Sequence, residues 1–514
     1  MTTFLPRAGT TPDAVAVTSP DGDRTWGELE SATRRFANGV AARGLGPGDR
    51  IATLAHNRPG YIEAVLGNLR AGTRHVPLNW HLTAPELAYI LDDSESRLVI
   101  TDPDHADVAR AAAAEAGVDD VLVMDDSFDA WLAAQPDDEP TNEVAGAFLM
   151  YTSGTTGRQK GVVRSDQGGR VDRVMEQYRR VGAVWGFTEG GVHLVACPLY
   201  HAAPPAQALF ALAHGQSLVL MPRFDAETVL ALVEQHRVTT THLVPTQIIR
   251  MLRLPDEVRA RYDTSSLVGV WHGAAPCPEW AKRAAIEWLG PVVIEYFGSS
   301  EGTGPLIATS ADWLAHPGTV GRPGPGLEVT AVADDGTTLP PGEVGTLYFR
   351  KAEGPPTYHR APDKTAESRL PDGRFTVGDV GWVDADGFVF LADRKVDLII
   401  SGGTNIYPSE TEAVLSSHPD VVDCAVFGVP DDEWGEQVKA AVQLAPGAAT
   451  TPDDLIAFCR AHLAGYKCPR SVDLHDELPR EASGKLKKRL LRDAYWPEGR
   501  TPATSAAPAG PGAP

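Results

Sequence analysis

The sequence predicts an α/β architecture, a large multi-subdomain amino-terminal part followed by a smaller α+β part. Three observations carry this. Short apolar runs alternate with helical patterns through the middle of the chain, the texture changes near residue 340, and the length is 514 residues. At roughly 100–200 residues per domain, such a chain makes two to four domains.

The elements can be justified in order. AGAFLMY, ending at Tyr151, reads as a strand. VHLVACPL (192–199), QSLVLM (216–221), VTTTHLVP (238–245), LVGVWHGAAP (267–276) and PVVIEYFGSSE (291–301) read as buried strands ending in turn chemistry. Ala226, Val229, Leu230 and Val233 fall at i, i+3, i+4 and i+7, one face of a helix between two of them. Strand–helix–strand alternation implies largely parallel sheets, whose ligands sit at the carboxyl ends of the strands. From about 340, GEVGTLYFR, GFVFLADR, DCAVFGV and VKAAVQL read as shorter strands of an α+β arrangement. Thr451 before Pro452, Asp453 and Asp454 marks a helix start. The Pro/Ala/Gly-rich stretch from Pro497 cannot build a core and is expected to be disordered.

Composition excludes several functions. With 46 Lys+Arg against 68 Asp+Glu, the net charge of −22 argues against nucleic acid as the main partner. No apolar run reaches about 18 residues, so no membrane span is expected, and the start lacks the pattern of a secretory signal. Five cysteines without a CxxC pair fit reduced thiols, and a cytoplasmic location is expected.

The sharpest chemical signal is the run from Tyr151 to Gly161: Thr152, Ser153, Gly154, Thr155, Thr156 and Gly157, then Arg158, Gln159 and Lys160. Three glycines let backbone close around an anion, four hydroxyls can bind phosphate oxygens, and Lys160 can neutralise charge. A flexible surface loop is the plain alternative. The pattern is not a Walker A loop.

This run resembles the phosphate loop of the adenylate-forming superfamily, which includes acyl-CoA synthetases, peptide-synthetase adenylation domains and luciferases. Further motifs resemble that family in the expected order. They are Gly273-Ala274-Ala275-Pro276, the run from Tyr296 through Gly298, Ser300 and Glu301, Asp379 with the later Arg394, the turn Ser401–Pro408, and Pro479–Lys485. The resemblance spans roughly residues 10–496. It implies an amino-terminal AMP-binding domain over 1–395, a mobile carboxy-terminal lid over 396–496, and a tail over 497–514.

What the resemblance implies for each residue also makes chemical sense. Lys485 would bridge the carboxylate and the α-phosphate, whose repulsion must be neutralised before in-line attack; the plain alternative is a solvated basic helix. Glu301 would be the Mg²⁺ ligand. Gly273, Ala274, Ala275 and Tyr296 would line adenine, and Asp379 would hold the ribose diol. His201 would border the acyl pocket. Gly402 and Gly403, beside Asn405, would open a tunnel for a thiol. His272 has no assigned role. Gln159 and Val396 depart from the family pattern, the latter at the pivot between domains.

The implied function is an ATP-dependent carboxylate–CoA ligase: a carboxylic acid becomes acyl-AMP, and the acyl group passes to coenzyme A. The implied cofactors are ATP, Mg²⁺ and coenzyme A, and the partner is a small-molecule carboxylic acid, fatty or aryl. The alternatives are transfer to a carrier protein or a nitrogen nucleophile, activation of nitrite in diazo formation, and a non-catalytic nucleotide-binding scaffold. Oligomeric state, a homodimer included, stays open. The acid pocket is expected between His201, Val244–Gln247, Trp271 and Ser299–Gly304.

Overall fold

The computed structural model describes residues 3–152, 159–163, 169–352, 354–394, 397–402, 404–480 and 486–496. The stretch from Pro497 lies outside them. Among the described residues, no helix is long and apolar enough to cross a membrane.

Two parallel sheets form the amino-terminal bulk. In the first, Val15–Thr18, Ser217–Leu220, Val192–Val195, Thr240–Leu243, Gly269–His272 and Val293–Phe297 lie side by side in that order. The five apolar runs between 192 and 301 each supply one of these strands. The helix between two of them is Ala226–His236, capped by the Asp225 side chain and burying Val229, Leu230 and Val233. The second sheet orders Val121–Val123, Ser96–Thr101, Arg50–Leu54, Arg74–Pro77 and Ala147–Phe148, again in parallel.

The first sheet is parallel over only half its width. Beyond Val293–Phe297 it continues with Leu306–Ala308, Thr319–Pro323, Val389–Arg394, Asp379–Val383, Gly345–Lys351 and Leu327–Val332, all antiparallel. The connection from Phe297 to Leu306 contains no crossover helix, so the next strand must return antiparallel. GEVGTLYFR and GFVFLADR therefore extend the large sheet instead of opening the α+β part.

AGAFLMY also differs from the single strand expected. Ala147–Phe148 pairs with Arg74–Pro77, whereas Met150–Thr152 turns away into a small sheet with Lys160–Val163 and Thr357–Tyr358. In the carboxy-terminal sheet, Thr404–Ile406, Ile399–Ser401, Gly435–Leu444 and Val421–Asp431 are antiparallel, and Ser471–Leu474 adds in parallel. The helix expected after Thr451 is Pro452–His462, and Thr451 and Asp454 form a reciprocal capping box.

The helix Pro59–Ala71 is buried along nearly its whole length and packs on Trp26–Ala42. At Gly67 a Cβ would stand 2.3 Å from the Phe36 ring, so only glycine permits this approach.

Just ahead of that helix, buried Asn57 joins the two sheets. Its Nδ2 donates to the carbonyls of Cys197 at 2.9 Å and Met221 at 3.0 Å, with a longer 3.4 Å contact to Val195. Its Oδ1 accepts from Leu199 N at 2.9 Å. Asn57→Ala leaves these buried backbone groups without their amide partner and should cost about 3 kcal/mol. Urea denaturation measures this; a midpoint equal to the parent's would show that the amide does not join the sheets.

Candidate active site

Three of the expected segments lie at the carboxyl edge of the first sheet. His201 follows Val192–Val195, Gly273–Ala275 follow Gly269–His272, and Tyr296–Glu301 end and follow Val293–Phe297. Gly273 lies directly on Tyr296: a Cβ there would stand 2.5 Å from the Tyr296 carbonyl oxygen and 2.8 Å from its ring. The next residue, Ala274, is exposed with φ of 69°, a left-handed conformation in which a non-glycine residue stores strain. The result is a flat backbone shelf against an aromatic ring. The Tyr296 hydroxyl pairs with His242 Nε2 at 2.8 Å, and burial pushes its pKa up.

The glycine- and hydroxyl-rich run lies between Met150–Thr152 and Lys160–Val163, strands paired with Thr152 opposite Lys160. Ser153, Gly154, Thr155, Thr156 and Gly157 lie outside the described residues, as does the Thr152 side chain. Partial burial and nearby Lys364 lower the Lys160 pKa. The strand beside Lys160–Val163 carries Tyr358, whose hydroxyl donates to Glu301 Oε1 at 3.1 Å. The small sheet and the end of Val293–Phe297 thus meet at Glu301. In the loop after Phe297, Gly298 lies close to Gly304, and the Ser299 and Thr303 hydroxyls are buried without a partner among the described residues.

Asp379 is buried at the start of Asp379–Val383, opposite Arg394 in the strand register. The Arg394 side chain, Val396 and Gly403 lie outside the described residues. Gly402 and Asn405 belong to the hairpin that edges the carboxy-terminal sheet. Gly402 has φ of 56°, and a Cβ there would stand 2.5 Å from the Trp434 ring. Lys485 lies in 481–485, outside the described residues. The chain on either side is pinned: Arg480 pairs with Leu486, and its guanidinium donates twice to Asp423 at 2.6 Å.

A cavity of about 790 Å³ opens beside this edge, lined by Met150, Tyr178, Trp185, Ala206, Phe210 and Gly304 among others, with Arg180 and Lys351 supplying charge. Ser300 and Gly304 line it as expected. Trp271 instead packs behind the wall, its ring 5.1 Å from Trp185, while Gln247 accepts from Cys197 Sγ at 3.1 Å. Sequence reading did not single out Tyr358 or Trp185. The first lies in a segment without a motif, and the second is one aromatic residue near the end of an ordinary amphipathic helix.

His272 backs the shelf. The fully buried Lys282 ammonium hydrogen-bonds His272 Nε2 and donates to Glu295 Oε2 at 3.2 Å. An ammonium at Nε2 requires that nitrogen to accept, which leaves the ring proton on Nδ1. Burial, followed by the Lys282 charge, holds the His272 pKa far down, and burial raises that of Glu295.

Comparison with known proteins agrees with this geometry. The AMP-binding enzyme family matches residues 4–359, and the AMP-binding enzyme C-terminal domain matches residues 410–485. A feruloyl-CoA synthase from Amycolatopsis is 38% identical, over 95% of this chain and 97% of its own. The fatty acid–acyl-carrier-protein ligase ScoC from Streptomyces coeruleorubidus is 34% identical, over 94% of both chains. The crystal structure of ATP-bound MatB from Rhodopseudomonas palustris superposes with a TM-score of 0.82 at 31% identity, covering 95% of this chain and 96% of that one.

Three buried histidines near these strands make stability depend on acid. Burial lowers the pKa of His75 and His193 to about 3 and that of His242 to about 4, from 6.5. The unfolded chain takes up protons at these rings below about pH 6.5, whereas the folded chain does so only near pH 3 to 4. Stability should therefore fall as pH drops through this window, with net proton uptake on unfolding. Urea midpoints at pH 7 and pH 5 test it; equal midpoints would mean that the histidines are not held neutral.

Proposed function

Because the chain belongs to the AMP-binding enzyme family, we propose that it is an AMP-forming acid–thiol ligase that activates a carboxylic acid with ATP and transfers the acyl group to coenzyme A. The shelf of Gly273 on Tyr296 carries this reading. No Cβ fits between this backbone and the ring, so the strand end stays flat, and a planar adenine can lie against its open side. The ATP-bound relative supports the same cosubstrate.

In the first half-reaction, the carboxylate attacks the α-phosphate and pyrophosphate leaves. Lys160 and the run 152–157 hold phosphate oxygens, and Lys485 neutralises the charge that builds between carboxylate and phosphate. Glu301 suits Mg²⁺, which would screen the phosphates: it is a half-buried carboxylate oriented by the Tyr358 hydroxyl. Asp379 takes the ribose hydroxyls, with Arg394 beside it. His201 and the cavity take the acid. Apolar lining suits a fatty or aryl body, in keeping with the feruloyl and fatty-acid relatives.

In the second half-reaction, the part over 396–496 rotates about the pivot near Val396 and exchanges Lys485 for Gly402, Gly403 and Asn405. The thiol sulfur then attacks the acyl-adenylate carbonyl carbon, its bond to the phosphate oxygen breaks, and thioester and AMP result. The end of the large sheet at Arg394 and the start of the carboxy-terminal sheet at Ile399 support a division of the chain at 395/396. Five free cysteines fit a reducing, cytoplasmic setting. The carrier-protein ligase among the relatives favours one second reading, in which the thiol belongs to a carrier's pantetheine arm.

Two measurements test the proposal. With a panel of fatty and aryl acids, ATP and free CoA should give thioester and pyrophosphate in equal amounts. Pyrophosphate without CoA consumption would favour the carrier reading, and neither product would sink ligase activity. Lys485→Ala should slow acid-dependent pyrophosphate release by about 10²–10³ while leaving conversion of supplied acyl-adenylate to thioester. Equal loss of both steps would return Lys485 to a solvated basic helix.

A further inference from the structure

A second cluster of chemically capable side chains lies outside the machinery above, at the carboxyl ends of two neighbouring strands of the second sheet. His56 follows Arg50–Leu54, and Asp102, Asp104 and His105 follow Ser96–Thr101. Both imidazoles turn Nδ1 toward one carboxylate. His105 Nδ1 lies 2.6 Å from Asp102 Oδ1, and His56 Nδ1 lies 3.3 Å from Asp102 Oδ2 and 3.6 Å from Asp104 Oδ2. Three ligand atoms, one each from His56, Asp102 and His105, lie within 4.8 Å of one another.

We propose that His56, Asp102, Asp104 and His105 form a binding site for a divalent transition-metal cation of zinc's class. A tetrahedral ion with ligands at about 2.0–2.2 Å holds its donor atoms roughly 3.3–3.6 Å apart. The separations of 2.6, 3.3 and 3.6 Å lie near that spacing, and the exposed Asp104 side chain, outside the three-residue group, completes the shell by turning toward it. The donors are also held in place beforehand. Backbone N–H groups of His56 and His105 donate to the two Asp102 oxygens at 2.8 and 3.0 Å, which fixes the carboxylate and the chain carrying each ring. Asp102 is 1% exposed and His56 8%, and the Trp80 ring covers His56 at 4.6 Å. Exposed Asp104 leaves the entry side open.

The chemistry selects the ion. Two imidazoles with carboxylates suit Zn²⁺, Co²⁺ or Ni²⁺, whereas Mg²⁺ requires an octahedral, mostly oxygen shell. Two carboxylates balance the charge of a divalent cation. The site is separate from Glu301, and ring contacts lead from it toward His201: Trp80 also reaches Tyr200 at 6.2 Å, and Tyr200 lies 4.2 Å from the His201 ring.

The test uses the full chain stripped with a chelator and then titrated with Zn²⁺ against a chromophoric competitor. One ion per chain should bind, undisplaced by excess Mg²⁺. Co²⁺ in its place should give visible d–d bands without thiolate charge transfer. His105→Gln should weaken Zn²⁺ binding at least about tenfold. If that variant fails to fold, as judged by its metal-free melting curve, the exposed Asp104→Ala carries the comparison with the same expected loss. No stoichiometric Zn²⁺, a thiolate band on Co²⁺, or parental affinity in the folded variant would overturn the proposal and leave the cluster a hydrogen-bonded network around Asp102.

Discussion

The amide of Asn57 is the constraint on which much of the molecule depends. Two parallel sheets share an apolar core, Val17, Val195 and Leu218 of one packing with Ile51, Leu98 and Ile100 of the other, but among the described residues no backbone ladder joins them. One side chain supplies both a donor and an acceptor at the seam, tying the end of Arg50–Leu54 to Cys197, Leu199 and Met221. Aspartate cannot donate there, and an apolar residue would leave buried backbone groups unpaired. Downstream, the bonded segment leads to Tyr200 and His201. Immediately upstream lies His56. The same seam therefore bears on the placement of His201 on one side and of the histidine cluster on the other.

The approach of Gly273 to Tyr296 shows a second economy of contact. Gly273 and Tyr296 approach so closely that a methyl group would collide with backbone, and Ala274 turns left-handed to leave the strand. Behind the shelf, Lys282 ties His272 on one strand to Glu295 on the next. Such buried charges must be desolvated and are weak evidence for stability, but their directional bonds fix how adjacent strand ends sit. Close packing in front and a charged clamp behind act on the same two strands.

Among the described residues, side-chain hydrogen bonds tie the carboxy-terminal part to the rest. The Arg253 guanidinium reaches the Val421 and Val422 carbonyls, and the Ser409 hydroxyl reaches the Ala392 carbonyl. Within this part, the Arg480 guanidinium is held on Asp423 and Gly402 packs against Trp434.

The sequence by itself determined the parallel strands from 192 to 301, the helix over Ala226–His236 and the start at Thr451, because periodicity and capping are local properties. It also determined the family, because the phosphate run and the glycine, acid and lysine motifs are contiguous and ordered. Tertiary structure alone decided which strands turn antiparallel, why AGAFLMY divides between two sheets, and where 342–350 and 387–394 belong, since pairing depends on connections and partners distant in the chain. It also decided the roles of Asn57, Tyr358 and the His56–Asp102–His105 cluster. Their partners lie between 46 and 164 residues away, save for the Asp102–His105 pair, and no periodicity or spacing records a contact that folding creates.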